Sequence, residues 1–309
     1  VTIPSEQPET EGIGGTNGKL MRSATYASVT VALILIGIKM VAYFATNSVA
    51  VLSTLVDSIL DLGASIINLI AVRQALVPAD RDHRFGHGKA EALAGLFQSA
   101  VILGSGVFLV FQSFERLVNP KPVQSTDIGI TIMVMSILLT ILLVAYQRYV
   151  IHKTRSIAIS ADSLHYAGDL LINGSVIVAL LVSAYFDWHY ADALFAIGIA
   201  VFLLFSSWSI IRKSMSDLMD EELADEERQN IIGIAIQQPG VLGVHDLRTR
   251  RSGQQVFIQM HLDIDGNMSL QEAHDISDSV EMRLMDEYPD SEAIVHQDPV
   301  RVQPPPSTG

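Results

Sequence analysis

Six long apolar runs, at 24–46, 48–73, 90–114, 126–147, 157–186 and 190–211, constrain this 309-residue chain more than any other feature. Each meets or exceeds the ~20 residues that a helix needs to cross ~30 Å of hydrocarbon. Their apolar character is continuous and does not alternate, so the runs predict helices and not a closed β-barrel. The composition agrees: 49% of residues are hydrophobic and 17% charged, where a soluble chain carries about a quarter charged. Residues 1–20 are polar and predict a tail, with no cleaved signal peptide visible.

The formal net charge of -13 divides unevenly. Residues 1–213 hold 14 Lys and Arg against 14 Asp and Glu, whereas residues 214–309 hold 6 against 19. The expected organisation is therefore an apolar, neutral six-helix membrane domain over 21–212, an acidic soluble domain over 213–298 and a disordered Pro-rich tail over 299–309. No basic face is available for phosphate, so nucleic acid is not an expected partner. The basic loop residues set the orientation. Lys19, Arg22, Arg73, Arg81, Arg84, Lys89, Arg148, Lys153, Arg155, Arg212 and Lys213 fall on one side of the six spans, with only Arg116 and Lys121 on the other. By the positive-inside rule both termini and the acidic domain are expected in the cytoplasm.

Ionisable groups deep in a span are costly and point to function. Asp57 and Asp61 lie four apart in the second span, and His165 and Asp169 repeat that spacing in the fifth, so each pair shares a helix face. Counted inward at ~1.5 Å per residue, both pairs reach mid-membrane. The chain has no cysteine, which excludes thiolate sites and leaves imidazole and carboxylate as ligands. Three carboxylates and one imidazole suit tetrahedral zinc. Buried without metal they would hold protons, so ion and protons compete for one site. The alternative is a polar packing contact or a proton path. Asp162 lies nearer the cytosolic end and is read as a residue supporting the ligands or lining the entry, not as a ligand itself, and Lys39 as a snorkelling side chain.

After the second span, Asp80, His83 and His87 give a D-x2-H-x3-H set in a loop with Gly86 and Gly88, suited to an exposed three-ligand metal site; a solvated basic loop is the alternative. Beyond Asp217 the pattern changes to α-β-β-α-β, an α+β sandwich with helices on one sheet face. An amphipathic helix ends at Pro239-Gly240, two strands meet near Ser252-Gly253, a Ser269–Glu272 capping box opens a second helix, and a last strand holds His296 and Asp298. His261 points off the apolar face of its strand. With His245, His274, His296 and Asp298 it could form one or two metal sites; surface or capping histidines are the alternative.

The D-x3-D and H-x3-D pairs on the second and fifth of six spans, the DHRFGHGKAE loop, and the GVHDLRTR and VHQDP segments together resemble the cation diffusion facilitators, over about residues 20–300. The resemblance implies a transport site of Asp57, Asp61, His165 and Asp169, a loop site of Asp80, His83 and His87, and a binuclear site of His245, His261, His274, His296 and Asp298. It also implies a metallochaperone-like (ferredoxin-like) cytoplasmic fold, a homodimer in the lipid bilayer of the bacterial inner membrane, and export of zinc, cadmium or ferrous iron in exchange for protons. Zn2+ would serve as substrate and as a structural or regulatory ion. An intramembrane metalloenzyme is disfavoured, because four protein ligands leave no open position for water and no H-E-x-x-H occurs. A metal-gated channel or sensor is the other alternative.

Overall fold

The computed structural model describes residues 15–118, 127–186 and 190–300; most of the expected N-terminal tail, Lys121 and residues 301–309 lie outside them. Six long helices come first: α1 (Thr16–Thr46), α2 (Val49–Ala75), α3 (Lys89–Val118), α4 (Asp127–Thr154), α5 (Ile157–Phe186) and α6 (Ala191–Leu218). All six match the expected spans, and α1, α4 and α6 run one or two turns further at the end expected to be cytosolic. Lipid-compatible composition stops at the first charges, but helical hydrogen bonding does not, and Met21 of the extended first turns packs with Val72, Leu76, Ala94, Val150 and Ile159. Helix α1 therefore begins inside the segment 1–20 expected as a tail.

Among the described residues, five of these helices meet the length and composition needed to cross a membrane, and their outward faces carry large exposed side chains such as Phe44, Phe111, Leu142 and Phe205. Helix α5 is as long and as apolar as the others, yet it carries Asp162, His165, Asp169 and Asn173 among its apolar residues. Its position is fixed from α3. Buried Glu91 accepts the Ile157 N–H at 2.8 Å, and a Cβ on Gly95 would lie 2.6 Å from the Ile157 side chain, so only glycine permits this approach. The α1–α2 and α4–α5 turns are tight, with Asn47 (φ 50°) and Arg155 (φ 52°) in left-handed conformations.

The first compact unit ends at Met215 and a second begins at Ser216. The second contains α7 (Asp225–Ile236), β1 (Val241–Ser252), β2 (Gln255–Asp265), α8 (Leu270–Glu287) and β3 (Ser291–Val300), the expected α-β-β-α-β order. The sheet runs β1-β2-β3, antiparallel between β1 and β2 and parallel between β2 and β3. Val256, Ile258, Met260, Leu262 and Ile264 of β2 face the helices and pack with Ile231, Ala235, Val280 and Leu284, which puts both helices of this unit on one face of the sheet.

The expected capping box is present: the Glu272 N–H donates to Ser269 Oγ at 3.3 Å and the Ser269 N–H to Glu272 Oε2 at 2.8 Å. Substituting Ser269→Ala is expected to lower the stability of residues 216–309 by about 1 kcal/mol through loss of the N-cap hydroxyl, measured by urea denaturation. The backbone and hydroxyl hydrogen bonds from Ser269 hold the Glu272 carboxyl below the usual glutamate range. Its contribution is therefore present above the unfolded value and is lost as pH falls through the lower folded one. The gap between the two proteins should narrow in acid but not vanish, since the Glu272 N–H bond to the hydroxyl does not titrate.

Candidate metal centres

In the membrane unit, α2 and α5 bring Asp61, His165 and Asp169 together, with one ligand atom from each lying within 4.8 Å of the others. His165 Nε2 is 3.0 Å from Asp61 Oδ1 and 3.9 Å from Asp169 Oδ2. All three are half-buried. Two carboxylates and one imidazole at this separation offer an oxygen-rich, partly neutralising cradle for a divalent cation. Asp57 is not in the group: one turn away along α2, it is exposed. A four-residue step rotates a side chain by about 40° and moves it about 6 Å along the axis, enough for Asp61 to face α5 while Asp57 clears it.

Lys39 behaves differently from a snorkelling lysine. Its Nζ donates to Ser58 Oγ at 2.6 Å and to the Thr54 carbonyl at 3.1 Å, both on α2 in the turns around Asp57. Asp162 is buried one turn from His165, where its Oδ2 accepts from Ser28 Oγ at 2.6 Å and Gln147 Nε2 at 2.7 Å. Neither partner was marked by the sequence, since a lone Ser or Gln in an apolar helix has no periodic signal.

Between α2 and α3, Asp80, His83 and His87 converge within the same 4.8 Å limit. Asp80 Oδ1 accepts the backbone N–H of His83 at 2.6 Å and of Asp82 at 2.9 Å, while its Oδ2 lies 3.4 Å from His87 Nε2. These bonds, the His83 N–H foremost, hold the Asp80 carboxyl below the usual aspartate range. Gly86 takes φ 73°, which bends the chain so that His87 returns towards Asp80. The segment is a loop, as its glycines predict.

On the sheet face away from α7 and α8, His245 pairs with His261 across β1 and β2, and His261 with His296 across β2 and β3. Ring centroids are 5.2 and 4.7 Å apart. Asp298 joins them: its Oδ2 is 2.8 Å from His261 Nδ1 and 3.1 Å from His245 Nε2, and its Oδ1 is 3.4 Å from His296 Nε2. His261 stands at the middle of the row, as its off-core direction predicts. His274 does not converge with them. It lies on α8, on the helix side of the sheet, 3.4 Å from Asp278. Asp263, absent from the expected ligands, approaches His245 Nδ1 to 3.5 Å; the signal was available, because β2 repeats in His261-Leu262-Asp263 the H-x-D spacing of His296-Gln297-Asp298.

A model of the cation efflux transmembrane domain matches residues 25–219, and one of the cation efflux protein cytoplasmic domain matches residues 223–300. The chain belongs to the cation efflux family. Among its relatives, the cation-efflux pump FieF of Shewanella oneidensis is 48% identical, covering 92% of this chain and 96% of that one. The cation-efflux pump FieF of Shigella flexneri is 45% identical, covering 93% and 95%. A solved cytosolic domain of a cation diffusion facilitator family protein is 28% identical over 24% of this chain and 90% of its own, with a TM-score of 0.23. Membership makes this an integral membrane cation transporter of the cation diffusion facilitator class and not an enzyme.

The hydrogen bond from His261, followed by the charges of His261, His296 and His245, holds the Asp298 carboxyl below the usual aspartate range. His261→Ala should therefore raise the Asp298 titration midpoint, read from its side-chain carbonyl carbon by NMR. Because the folded value is the lower one, the Asp298 contribution to stability is present above the unfolded value and disappears as pH falls through the folded one.

Proposed function

We propose that this protein exports a divalent transition-metal cation from the cytoplasm in exchange for protons, with zinc as its principal ion and cadmium and ferrous iron as further ones. The observation that carries this reading is the Asp61, His165 and Asp169 triad on the two membrane helices that hold the ionisable pairs. Imidazole nitrogen with carboxylate oxygen is a borderline donor set, suited to zinc and its neighbours and poorly to magnesium or calcium. Protons and metal compete for the same lone pairs, so loading the ion releases protons and reprotonation expels it. Alternating exposure of that site to the two sides then couples the two fluxes. Asp57, one turn along α2, is the fourth ligand in this reading, reaching the ion by a change of its own side-chain rotamer.

The loop site of Asp80, His83 and His87 and the sheet site of His245, His261, His296 and Asp298 are resident metal sites in this scheme. Their donor sets fit zinc, and metal there would supply positive charge to an acidic domain. His274 lies on the helix side of the sheet and cannot join that site within one chain, which favours a homodimer in which a second copy supplies it. The clustering of basic loop residues favours cytoplasmic termini, and the FieF relatives favour the bacterial inner membrane.

The test is zinc uptake by the purified chain in sealed vesicles, with a zinc dye inside and an imposed pH gradient. Uptake should accelerate when protons can flow out against it, and Asp61→Ala should slow it at least tenfold, the lower end of the loss typical for disturbed metal sites. Flux indifferent to the gradient would fit a metal-gated channel and end the exchanger reading. Unchanged flux in Asp61→Ala would move the transport site elsewhere.

A further inference from the structure

The buried carboxyl of Asp162 has no role in the scheme above, and its surroundings are unusual. It lies in the cytosolic half of α5 at 1% exposure. Both of its donors, Ser28 Oγ of α1 and Gln147 Nε2 of α4, fall on Oδ2, and Gln147 Nε2 also reaches Ser28 Oγ at 2.9 Å. Asp162 Oδ1 and Gln147 Oε1, the other two atoms of the same pair of planar groups, are buried and have no hydrogen-bond partner. Both are acceptors, so as they stand neither can satisfy the other. A bare carboxylate at this depth would leave one oxygen uncompensated at a cost that bilayer-embedded proteins avoid.

A hydrogen on Asp162 Oδ1, shared with Gln147 Oε1, would satisfy both atoms. An acid and a primary amide form a two-bond ring, N–H to one oxygen and O–H to the amide carbonyl, and the N–H half of that ring is already present between Gln147 and Asp162. Its next turn extends the same contact. The Tyr166 hydroxyl lies 2.8 Å from Ser65 Oγ of α2 and 3.4 Å from the Ser28 carbonyl of α1. Ser65 is one turn from Asp61, and Asp162 is one turn from His165. Hydrogen bonds thus run from α4 through α5 and α1 to α2, one turn away from the two helices' metal-facing groups.

We propose that Asp162 is a positioning residue, which sets the separation of Asp61 and His165 by tying α5 to α1 and α4 through its hydrogen bonds and not through its charge. The inference rests on the transport reading of the triad. It explains why a further carboxyl is tolerated on α5 one turn from His165 and two turns from Asp169: as a hydrogen-bonding group it adds no repulsion to theirs.

The test compares Asp162→Asn with Asp162→Ala in the full chain in vesicles, reading half-saturating zinc separately from maximal flux, with the unfolding midpoint of the metal-free protein as a second measurement. Asparagine reproduces the ring, taking the Ser28 and Gln147 donors on its carbonyl and giving its own N–H to Gln147 Oε1. It should keep half-saturation within about twofold of the unmodified chain, whereas alanine should raise it about tenfold, the loss typical when a group orienting a metal ligand is removed. Ser28→Ala, which deletes one hydroxyl and is the milder change, should shift half-saturation and midpoint in the same direction by less. An asparagine variant as impaired as alanine would show that the charge is needed and overturn the proposal. So would an alanine variant with a lowered midpoint and unchanged half-saturation, since that is a structural role alone. The two readings fail differently: no zinc flux in the unmodified chain removes the transport reading and this one with it. Flux that survives Asp162→Ala with half-saturation and midpoint both unchanged removes only this one.

Discussion

The rest of the membrane unit depends on the cost of holding Asp61 and Asp169 close together inside an apolar helix bundle. Two carboxylates within reach of one imidazole repel each other, and few water molecules are available to weaken that repulsion. His165 lies between them, 3.0 Å from one and 3.9 Å from the other, and a divalent cation would offset both. Every polar contact nearby can be understood as support for that arrangement. Glu91 fixes where α5 starts, Ser65 and Tyr166 join α2 to α5, and Ser28, Gln147 and Asp162 join α1, α4 and α5. The outcome is visible in α5 itself, which gathers Asp162, His165 and Asp169 in one half of an otherwise apolar membrane helix.

The same donor types are organised by different geometry in each of the three clusters. In the membrane a helical period places ligands on one face but separates them along the axis, so a second helix must complete the group. In the sheet a row of three paired positions puts His245, His261 and His296 side by side, and the H-x-D step adds Asp298 beneath them. The loop uses neither repeat. It relies on a carboxylate that ties down two backbone N–H groups and a left-handed glycine that returns the chain. The sheet row is held by main-chain hydrogen bonds on both sides and the loop by a few local ones, so the two should differ in rigidity by construction of the backbone.

Much of this was legible from residue order, because the strongest signals are periodic. Six apolar runs gave six helices, and alternation in β2 placed His261 off the core with Val256 to Ile264 on it. The Ser269 and Glu272 pair marked the start of α8. What was not legible involves a third dimension. Spacing placed Asp57 beside Asp61 but could not show how α5 approaches α2, and it grouped His274 with the other histidines although α8 lies on the far side of the sheet. Lys39 suited a snorkelling side chain until α2 was seen to offer it Ser58 and the Thr54 carbonyl. Ser28 and Gln147 were silent because single uncharged polar residues carry no pattern until a helix packing brings them to a common partner.

Those silent residues bear on how such a bundle could change shape. In water a broken side-chain hydrogen bond is replaced at once, so a polar contact adds little resistance to movement. Inside an apolar bundle the replacement must come from the protein or from a water molecule that enters with the motion. The contacts that join α1, α2, α4 and α5 therefore favour motion of these four helices together over sliding of one past another, since sliding α5 alone would strand Ser28, Gln147 and Ser65 at once. Helix α3 is linked to α5 through the Glu91 carboxylate at the first peptide of that helix. A hinge at the start of α5 would disturb the first-turn contacts, the Glu91 and Ser156 bonds among them, and leave the deeper network whole, so the triad is carried as a preformed unit while its surroundings change.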